Sequence, residues 1–274
     1  MSTTNEKRIP SAFVPHGGGP LPILGDRAHK TLTAWLSNFV STHLSRNKPT
    51  SCLIISAHWE APVTTLQTGD TSSLYYDYYG FPKEAYNLNY PLKPAPELAK
   101  RVAGLLDKAG IQHKSDSERG FDHGVFIPMM LLFPDGDIPT MQISLVGGLD
   151  PEVHIKLGEA LAPLRDEGVF ILGSGMSYHN MRGFGSADAN DVSIPFHKYL
   201  RDVLTDDGKP YEEKKDKLVG WKSAPRARDN HPREEHLIPL MTIFGTAKGS
   251  QGRGQEVFFD DVAGAKCAGY IFEE

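Results

Sequence analysis

The sequence predicts an α/β fold, with a single domain and a mixed or mostly parallel central sheet flanked by helices. Five short apolar segments, each bounded by glycine, proline or polar residues, are typical of buried strands. Segments with apolar residues three and four positions apart alternate with them and are typical of amphipathic helices. This alternation indicates a sheet covered by helices, and no change in composition divides residues 1–274. We therefore expect one domain with its site at the carboxyl ends of the strands.

The predicted elements follow in chain order. The strands are IPSAFVPH (9–16), SCLIISAH (51–58), IPTMQISL (138–145), GVFILGSG (168–175) and KCAGYIF (266–272). The helices are HKTLTAWLSNFVSTHL (29–44), APELAKRVAGLLDKAG (95–110) and DPEVHIKLGEALAPL (150–164), the last with Asp150 as its cap and Pro151 in its first turn. Residues 64–94, rich in tyrosine and proline, are expected to form a long loop over a site, and the charged residues 205–217 a solvated surface excursion.

Composition and charge favour a small-molecule substrate. Charged residues make up 23% of the 274 residues and the net charge is −5, which gives no electrostatic footprint for nucleic acid or an anionic membrane. Cys52 and Cys267 lie in apolar strand segments and form no CxxC pair, which indicates buried thiols in a reducing compartment. The N-terminal MSTTNEKRIP has no apolar core and no apolar run is long enough for a membrane helix, so we expect a cytoplasmic protein.

Histidines recur where the predicted strands end. His16 and His58 directly follow the first two strands, and His179 follows the fourth. Loops after the carboxyl ends of strands gather at one edge of such a sheet, so these three can meet although they are far apart in sequence. The glycines of HGGG, after His16, let the backbone approach a ligand closely. Two further motifs carry candidates, namely FDHGVFIPMM with His123 and DNHPREEHLIPL with His231, Glu234, Glu235 and His236.

Five histidine-bearing motifs in one chain favour a metal site. Imidazoles with a carboxylate suit Fe(II) or Zn(II), and two histidines with one carboxylate are typical of non-haem iron oxygenases. Three histidines and a water equally suit a zinc hydrolase. The HExxH motif is absent from the sequence, and HPREEH has a different order and spacing. The residues alone therefore leave oxygenase and hydrolase open.

Taken together, the motifs resemble those of a known family. PHGGGP, ISAHW, DHGVFIPMMLLFP, GSGMSYHN and HPREEHLIPL occur in the order and rough spacing found in class III extradiol ring-cleavage dioxygenases of the LigB-like superfamily, in the branch of the 4,5-DOPA dioxygenases. The resemblance spans residues 12–245. One departure is HGGGP, which stands where the family usually has His-Gly-Ser-Pro.

The resemblance implies which residues form the site. The implied metal ligands are His16, His58 and His236, with His179 as catalytic base or further ligand and His123 as a catalytic residue beside the substrate. Family members that cleave protocatechuate use a glutamate as third ligand, so Glu235 rivals His236. The residues expected to contact the substrate are Trp59 and Gly18, and the aromatic segment SLYYDYYGFP is expected to wall its ring.

The implied activity is cleavage of a catechol ring, DOPA-like or related, by O₂ to give a semialdehyde. The implied cofactor is one metal ion per chain, Fe(II) for activity or Zn(II) as bound in purified protein. An imidazole can accept a proton near neutral pH, so His179 would take one from the diol. The expected partners are the aromatic diol and O₂, with neither nucleic acid nor membrane.

Two other functions remain open at this point. A zinc-binding hydrolase would use His179 to activate a metal-bound water. A non-enzymatic, Memo-like binding protein of the same fold would keep the histidine pocket, since fold alone does not assign function.

The histidines expected to lie outside the site, in or beside helix patterns or in polar segments, are His29, His43, His113, His154 and His197. We expect His231 to orient the helix that carries His236.

Overall fold

One mixed sheet of nine strands runs through the part of the chain that the computed structural model describes, residues 8–70 and 73–273. The strands are β1 (Ser11–Pro15), β2 (Ser51–Ala61), β3 (Thr64–Gln67), β4 (Lys93–Pro94), β5 (His113–Asp116), β6 (Pro139–Val146), β7 (Val169–Gly175), β8 (Gln255–Val262) and β9 (Ala265–Phe272). The helices are α1 (Lys30–His43), α2 (Pro96–Lys108), α3 (His123–Leu132), α4 (Pro151–Leu161), α5 (Ala189–Leu204), α6 (Tyr211–Val219), α7 (Ala227–Asn230) and α8 (Ile238–Thr246). The strand order is β5-β3-β6-β2-β7-β1-β9-β8, and β4 pairs with β6 beside this path.

The centre of the sheet is parallel. β2 pairs in parallel with β6 on one side and with β7 on the other, and β1 pairs in parallel with β7. The antiparallel pairs lie towards the edges, where β3 pairs with β6, and β9 pairs with both β1 and β8. The expectation of a mixed or mostly parallel sheet is confirmed. As a result, β1, β2 and β7 bring their carboxyl ends to the same edge of the sheet.

Helices cover both faces of the sheet. In β2, Leu53 and Ile55 belong to the core that contains the apolar faces of α2, α4 and α8, whereas Cys52 and Ile54 belong to the core under α1 and α3. All four side chains are buried, which explains why this strand is a continuous apolar run in the sequence. Among the helices of the described residues, none combines the length and the apolarity that crossing a membrane requires.

All five predicted strands and all three predicted helices are present. At α4 the Asp150 carboxylate accepts a hydrogen bond from the Glu152 N–H, which confirms the predicted cap. β2 is longer than expected, because it continues through His58 to Ala61. The patterns miss β3, β4, β5 and β8, and also α3, α5, α6, α7 and α8. Because α3 and α8 are apolar on nearly every side, they carry no amphipathic period that would reveal them.

Residues 64–94 form less of a loop than expected. The segment begins with β3 and ends with β4, and both strands pair within the sheet. Between them, among the residues from 73 onwards that the structure describes, Tyr78 and Phe81 line a cavity at the edge of the sheet. The expectation of a loop over a site therefore holds only for the middle of this segment.

The charged segment 205–217 is not solvated throughout. α6 begins at Tyr211, and this residue is buried. Its ring stacks on Phe244 of α8, with ring centroids 4.7 Å apart, and its hydroxyl donates to Glu159 at 3.0 Å. Because α6 is short and mostly charged, the sequence pattern does not reveal its few buried positions.

A buried arginine joins three remote parts of the chain. Arg165 lies after α4, and its guanidinium donates to the carbonyls of Ile9, Thr246 and Phe272 at 2.9, 3.1 and 2.6 Å. These carbonyls stand before β1, at the end of α8 and at the end of β9. Buried carbonyls require donors, and one side chain supplies all three here.

We predict that Arg165→Leu lowers the free energy of unfolding by roughly 3–5 kcal/mol, because it leaves buried polar groups without partners. Chemical denaturation measures the change. Arg101→Leu is the matched control, since its guanidinium bonds the Glu167 carboxylate at the surface, where ion pairs contribute little. Equal losses in the two variants would contradict the role assigned to Arg165.

Candidate metal site

Three imidazoles converge at the carboxyl edge of the sheet. His16 follows β1, His58 lies within β2, and His236 lies just before α8. The His58 Nε2 atom is 3.1 Å from Nε2 of His16 and 3.2 Å from Nε2 of His236. These three residues form a group that could hold one metal ion. The structure therefore brings together the three ligands that the resemblance implies.

An irregularity in β2 lies next to His58. The register of β2 against β6 shifts between Ile55 and Glu60, and the strand continues past His58, where the sequence predicted its end. The His58 N–H donates to Ser56 Oγ at 3.2 Å, and this hydroxyl donates to the buried Asp122 at 2.6 Å. Bulges commonly redirect a side chain beside a functional site. This one accompanies the turn of the His58 ring towards the other two histidines.

Hydrogen bonds on the far side of two rings fix their tautomers. Ser174 Oγ donates to the carbonyl of Gly124, so it accepts from Nδ1 of His16, at 2.9 Å. His236 Nδ1 donates to Oε1 of Glu235 at 3.0 Å. With the proton on Nδ1, the Nε2 lone pair of each ring is free for a metal ion.

The three converging rings are neutral, which is the form that binds metal. Burial lowers the pKa of His16, His58 and His236 well below the ordinary value of histidine. The charges that the neighbouring imidazoles would carry lower each pKa further. Protons therefore compete weakly with a metal ion at neutral pH.

His179 lies against one face of His236. The two rings are stacked, with centroids 3.4 Å apart and planes at 17°. His179 Nδ1 is 3.2 Å from Oε1 of Glu235, the same atom that accepts from His236. Burial would raise the pKa of Glu235, but the hydrogen bond from His179 and the charge of Arg233 hold it below its ordinary value. Glu235 is therefore an anion between two histidines, and the three form a second group that could hold an ion.

His123 enters the site from the first turn of α3. Its Nδ1 is 2.8 Å from Oδ1 of Asp77, and its backbone N–H donates to the same atom at 3.0 Å. The other oxygen of Asp77 is 3.7 Å from Nδ1 of His58, so these three residues are a third possible ligand group. Burial would raise the pKa of Asp77, but the hydrogen bond from His123 holds it below its ordinary value. Asp77 was not among the expected residues, although it is the one acidic residue of SLYYDYYGFP.

A cavity of about 550 Å³ opens onto these histidines. Its wall includes Gly18 and the aromatic residues Tyr78 and Phe81. Trp59 does not line this cavity, contrary to the expectation that it contacts the substrate. Consecutive residues of a strand point to opposite sides, and the Trp59 ring packs with Arg119, whose guanidinium carbon is 5.1 Å from the ring centroid.

His29 lies in the cavity wall, although the sequence places it outside the site. The Gly18 N–H donates to its Nε2 at 3.0 Å, and its Nδ1 donates to Asp26 at 2.7 Å. His29 thereby holds the glycine loop that follows His16. The other histidines expected outside the site do not line the cavity; they are His43, His113, His154 and His197.

His231 supports the loop that carries His179. It is fully buried, and its Nε2 donates to the carbonyl of Ser177 at 2.9 Å. Burial lowers the pKa of His231 to about 4, so the ring is neutral. The carbonyl of Asn230 accepts from the His179 N–H at 3.0 Å, which joins the two motifs directly. His231 thus acts on the His179 loop, whereas the sequence suggested that it orients the helix that carries His236.

Comparison with known proteins identifies the family. The family model described as the catalytic LigB subunit of aromatic ring-opening dioxygenase matches residues 13–268. The chain belongs to this family. It is 38% identical over 266 residues to a protein named dioxygenase tasH from Hapsidospora irregularis, covering 90% of this chain and 80% of that protein. It is 36% identical over 253 residues to a 4,5-DOPA dioxygenase extradiol from Beta vulgaris, covering 89% of each.

A solved structure agrees with this LigB assignment. The crystal structure of an uncharacterized protein from Escherichia coli K12 has a TM-score of 0.76 and 26% sequence identity, and the match covers 97% of this chain and 100% of that one. The protein is an extradiol ring-cleaving dioxygenase, which acts on an aromatic substrate and O₂. The metal cofactor typical of the LigB family fits the histidine group at the sheet edge. Family membership favours ring opening over the hydrolase and the Memo-like alternatives.

Gly175 lets the His236 segment of the dioxygenase lie directly on the end of β7. A Cβ atom at this position would overlap the carbonyl oxygen of His236. The same carbonyl accepts the N–H of Met176 at 3.0 Å, which fixes the segment beside the strand. The place of His236 therefore depends on a residue without a side chain.

We predict that Gly175→Ala reduces bound metal and destabilises the protein by about 1–3 kcal/mol, because the added methyl must displace the His236 backbone. Elemental analysis and thermal unfolding measure both effects. Gly104→Ala in α2 is the control, since a Cβ there meets nothing within 4 Å and alanine favours helix by about 1 kcal/mol. Normal metal affinity in Gly175→Ala would show that the close contact is not needed.

Proposed function

We propose that this protein is a metal-dependent extradiol dioxygenase that opens a catechol ring to a semialdehyde, with His16, His58 and His236 holding one Fe(II) ion. The observation that carries the proposal is the convergence of their Nε2 atoms, with His58 at 3.1 and 3.2 Å from the other two. Neutral imidazoles suit Fe(II), and they also suit Zn(II), which would take the same place in purified protein. We further propose that residues 1–274 act as one catalytic domain, since one sheet supports the whole site.

The surroundings of Glu235 support His236 as the third ligand. Oε1 of Glu235 faces both His179 and His236, and Oε2 lies 3.5 Å from Arg233. A carboxylate engaged in this way orients ligands and raises their basicity. His236, by contrast, presents a free Nε2 beside His58.

A bound Fe(II) ion would bring the diol and dioxygen together and give electrons a path between them. The protein's own residues then hold the substrate and move its proton. We assign His179 as the base: its Nδ1 faces the Glu235 carboxylate at 3.2 Å, which favours a proton on that nitrogen and leaves Nε2 to accept a proton from a catechol hydroxyl. The Glu235 carboxylate would stabilise the imidazolium that results.

We assign His123 to the reacting oxygen atoms of the substrate. Its ring lies beside His58, with centroids 3.8 Å apart, and Asp77 holds its Nδ1. Nε2 is then the nitrogen available to the substrate, where a hydrogen bond would stabilise developing negative charge. Asp77 orients His123 and also approaches His58, so it positions a catalytic residue and a ligand together.

The direct test is aerobic turnover of a catechol by protein loaded with Fe(II) under anaerobic conditions. We expect a yellow product and oxygen uptake equal to the catechol consumed. Replacing His16, His58 or His236 by alanine should abolish both the bound metal and the activity, because a metal ion held by three ligands loses most of its affinity with two.

His43→Gln is the control for these variants, since His43 does not line the cavity and should leave metal content and turnover unchanged. Metal retained in His236→Ala but lost in Glu235→Gln would make Glu235 the third ligand and refute His236. Turnover without oxygen uptake would refute ring cleavage itself.

We predict that His179→Ala keeps about one metal ion per chain and still binds a catechol, because it leaves the three proposed ligands in place. Turnover should fall by roughly a hundredfold to ten-thousandfold, the usual contribution of a general base. Activity should recover in part at high pH, where the catechol is already deprotonated. Metal analysis and the pH profile of kcat together measure this.

A fourth-ligand role for His179 gives the opposite pattern. Metal would then be lost in proportion to activity, and raising the pH would restore nothing. The two roles are therefore separated by metal content alone, before any assay of turnover.

A further inference from the structure

We propose that the substrate is a catechol that carries an uncharged, apolar substituent, rather than an amino-acid side chain as in DOPA. This inference rests on the proposed ring-opening function, and it concerns the part of the cavity away from the histidines. A volume of about 550 Å³ falls in the range of pockets that bind drug-sized ligands, so a substituent on the diol has room.

The wall beyond the histidines is mainly apolar. Its side chains come from separate segments of the chain and include Leu21, Phe81, Met176, Phe184 and Val262. An apolar substituent placed against these residues leaves water, which is favourable in proportion to the area buried. The wall therefore provides binding energy for an alkyl or aryl group.

The buried side-chain hydrogen-bonding groups of the wall beyond the site histidines and Asp77 are already engaged within the protein, and Tyr79, which also lines the cavity, is 92% exposed to water. The Tyr78 hydroxyl donates to the carbonyl of Ala85, and both nitrogens of His29 are bonded to Gly18 and Asp26. Because they are already paired, these groups do not form new hydrogen bonds with a polar substituent of the substrate that leaves water. A polar substituent would lose its hydration without gaining partners here.

The charge of the cavity disfavours a carboxylate in particular. Among the described residues that line it, the one carboxylate is Asp77 and none is a lysine or arginine. Arg233, near Glu235, is bound to Glu60 through two contacts of 2.6 Å, and Arg119 is bound to Asp122 at 3.1 Å. Away from the metal-binding histidines, a substrate carboxylate would thus find no lysine or arginine as a counter-ion in the wall.

The test compares 4-butylcatechol with 3-(3,4-dihydroxyphenyl)propanoate and L-DOPA on the Fe(II)-loaded full chain. We expect kcat/KM for 4-butylcatechol to exceed that of both carboxylates by about ten- to a hundredfold, mainly through KM, because the carboxylate loses hydration against an apolar wall that offers no counter-ion. Titration calorimetry on Zn(II)-loaded protein should give the same order of Kd without turnover. Equal or reversed preference in both measurements would overturn the proposal.

A charge added to the wall supplies the second test. Leu21 is partly exposed, so Leu21→Arg should fold, and Leu21→Gln is the uncharged match. Leu21→Arg should reduce the ratio of kcat/KM for 4-butylcatechol to kcat/KM for the carboxylates by about five- to tenfold, as expected for one partly exposed ion pair. Leu21→Gln should leave this ratio unchanged. Equal shifts in the two variants would overturn the electrostatic argument.

The outcomes also separate this proposal from the proposed function. If no catechol is opened by the Fe(II)-loaded protein but Kd follows the expected order, ring opening fails and the binding preference stands. If catechols are opened and the carboxylates are equal or better substrates, ring opening stands and the preference fails.

Discussion

Buried imidazole lone pairs directed at a common point are the constraint on which the site depends. The Nε2 atom of His58 lies within hydrogen-bonding distance of Nε2 of both His16 and His236, yet His16 and His236 place their protons on the far nitrogen. The single N–H of a neutral His58 is the one donor available to the Nε2 lone pairs of His16 and His236, so it cannot fully satisfy both. A cation at the common point satisfies all three lone pairs at once. The fold therefore holds the ligands in the form that metal binding requires.

Two carboxylates orient different histidines of this site. Glu235 contacts the proposed ligand His236 and the proposed base His179, and Asp77 approaches the proposed ligand His58 while it holds His123. Each carboxylate thus couples the orientation of one ligand to that of one residue that would act on the substrate. Because imidazole rings rotate freely about their side-chain bonds, such pairing fixes both the ring plane and the tautomer. The proposed metal binding and proton transfer therefore depend on the same two carboxylates, Glu235 and Asp77.

The sequence indicates the proposed ligands of this site more clearly than the residues that orient them. His16 and His58 stand out because they interrupt or follow apolar strands, and the parallel order of β1, β7 and β2 brings them together. Asp77 and Ser174 do not stand out in the sequence, because their contacts with His123 and His16 join segments that are 46 and 158 residues apart. Trp59 was misassigned because a strand position next to a ligand faces away from it. In the fold, α3 and α8 were missed because helices buried on every side have no periodic pattern to detect.

The three residues at the end of β7 show why the histidines meet at this point of the sheet. Side chains alternate along a strand, so Gly173 and Gly175 share one face and Ser174 has the other. A Cβ atom on either glycine would collide with α8 or with the His236 segment before it, whereas Ser174 reaches the His16 ring on the opposite face. The glycines let one ligand segment pack on the strand backbone from one side while the serine orients the second ligand from the other. The proposed ligands His16 and His236, which come from different segments of the fold, are thereby joined through a single strand, and His179 follows this strand a few residues later.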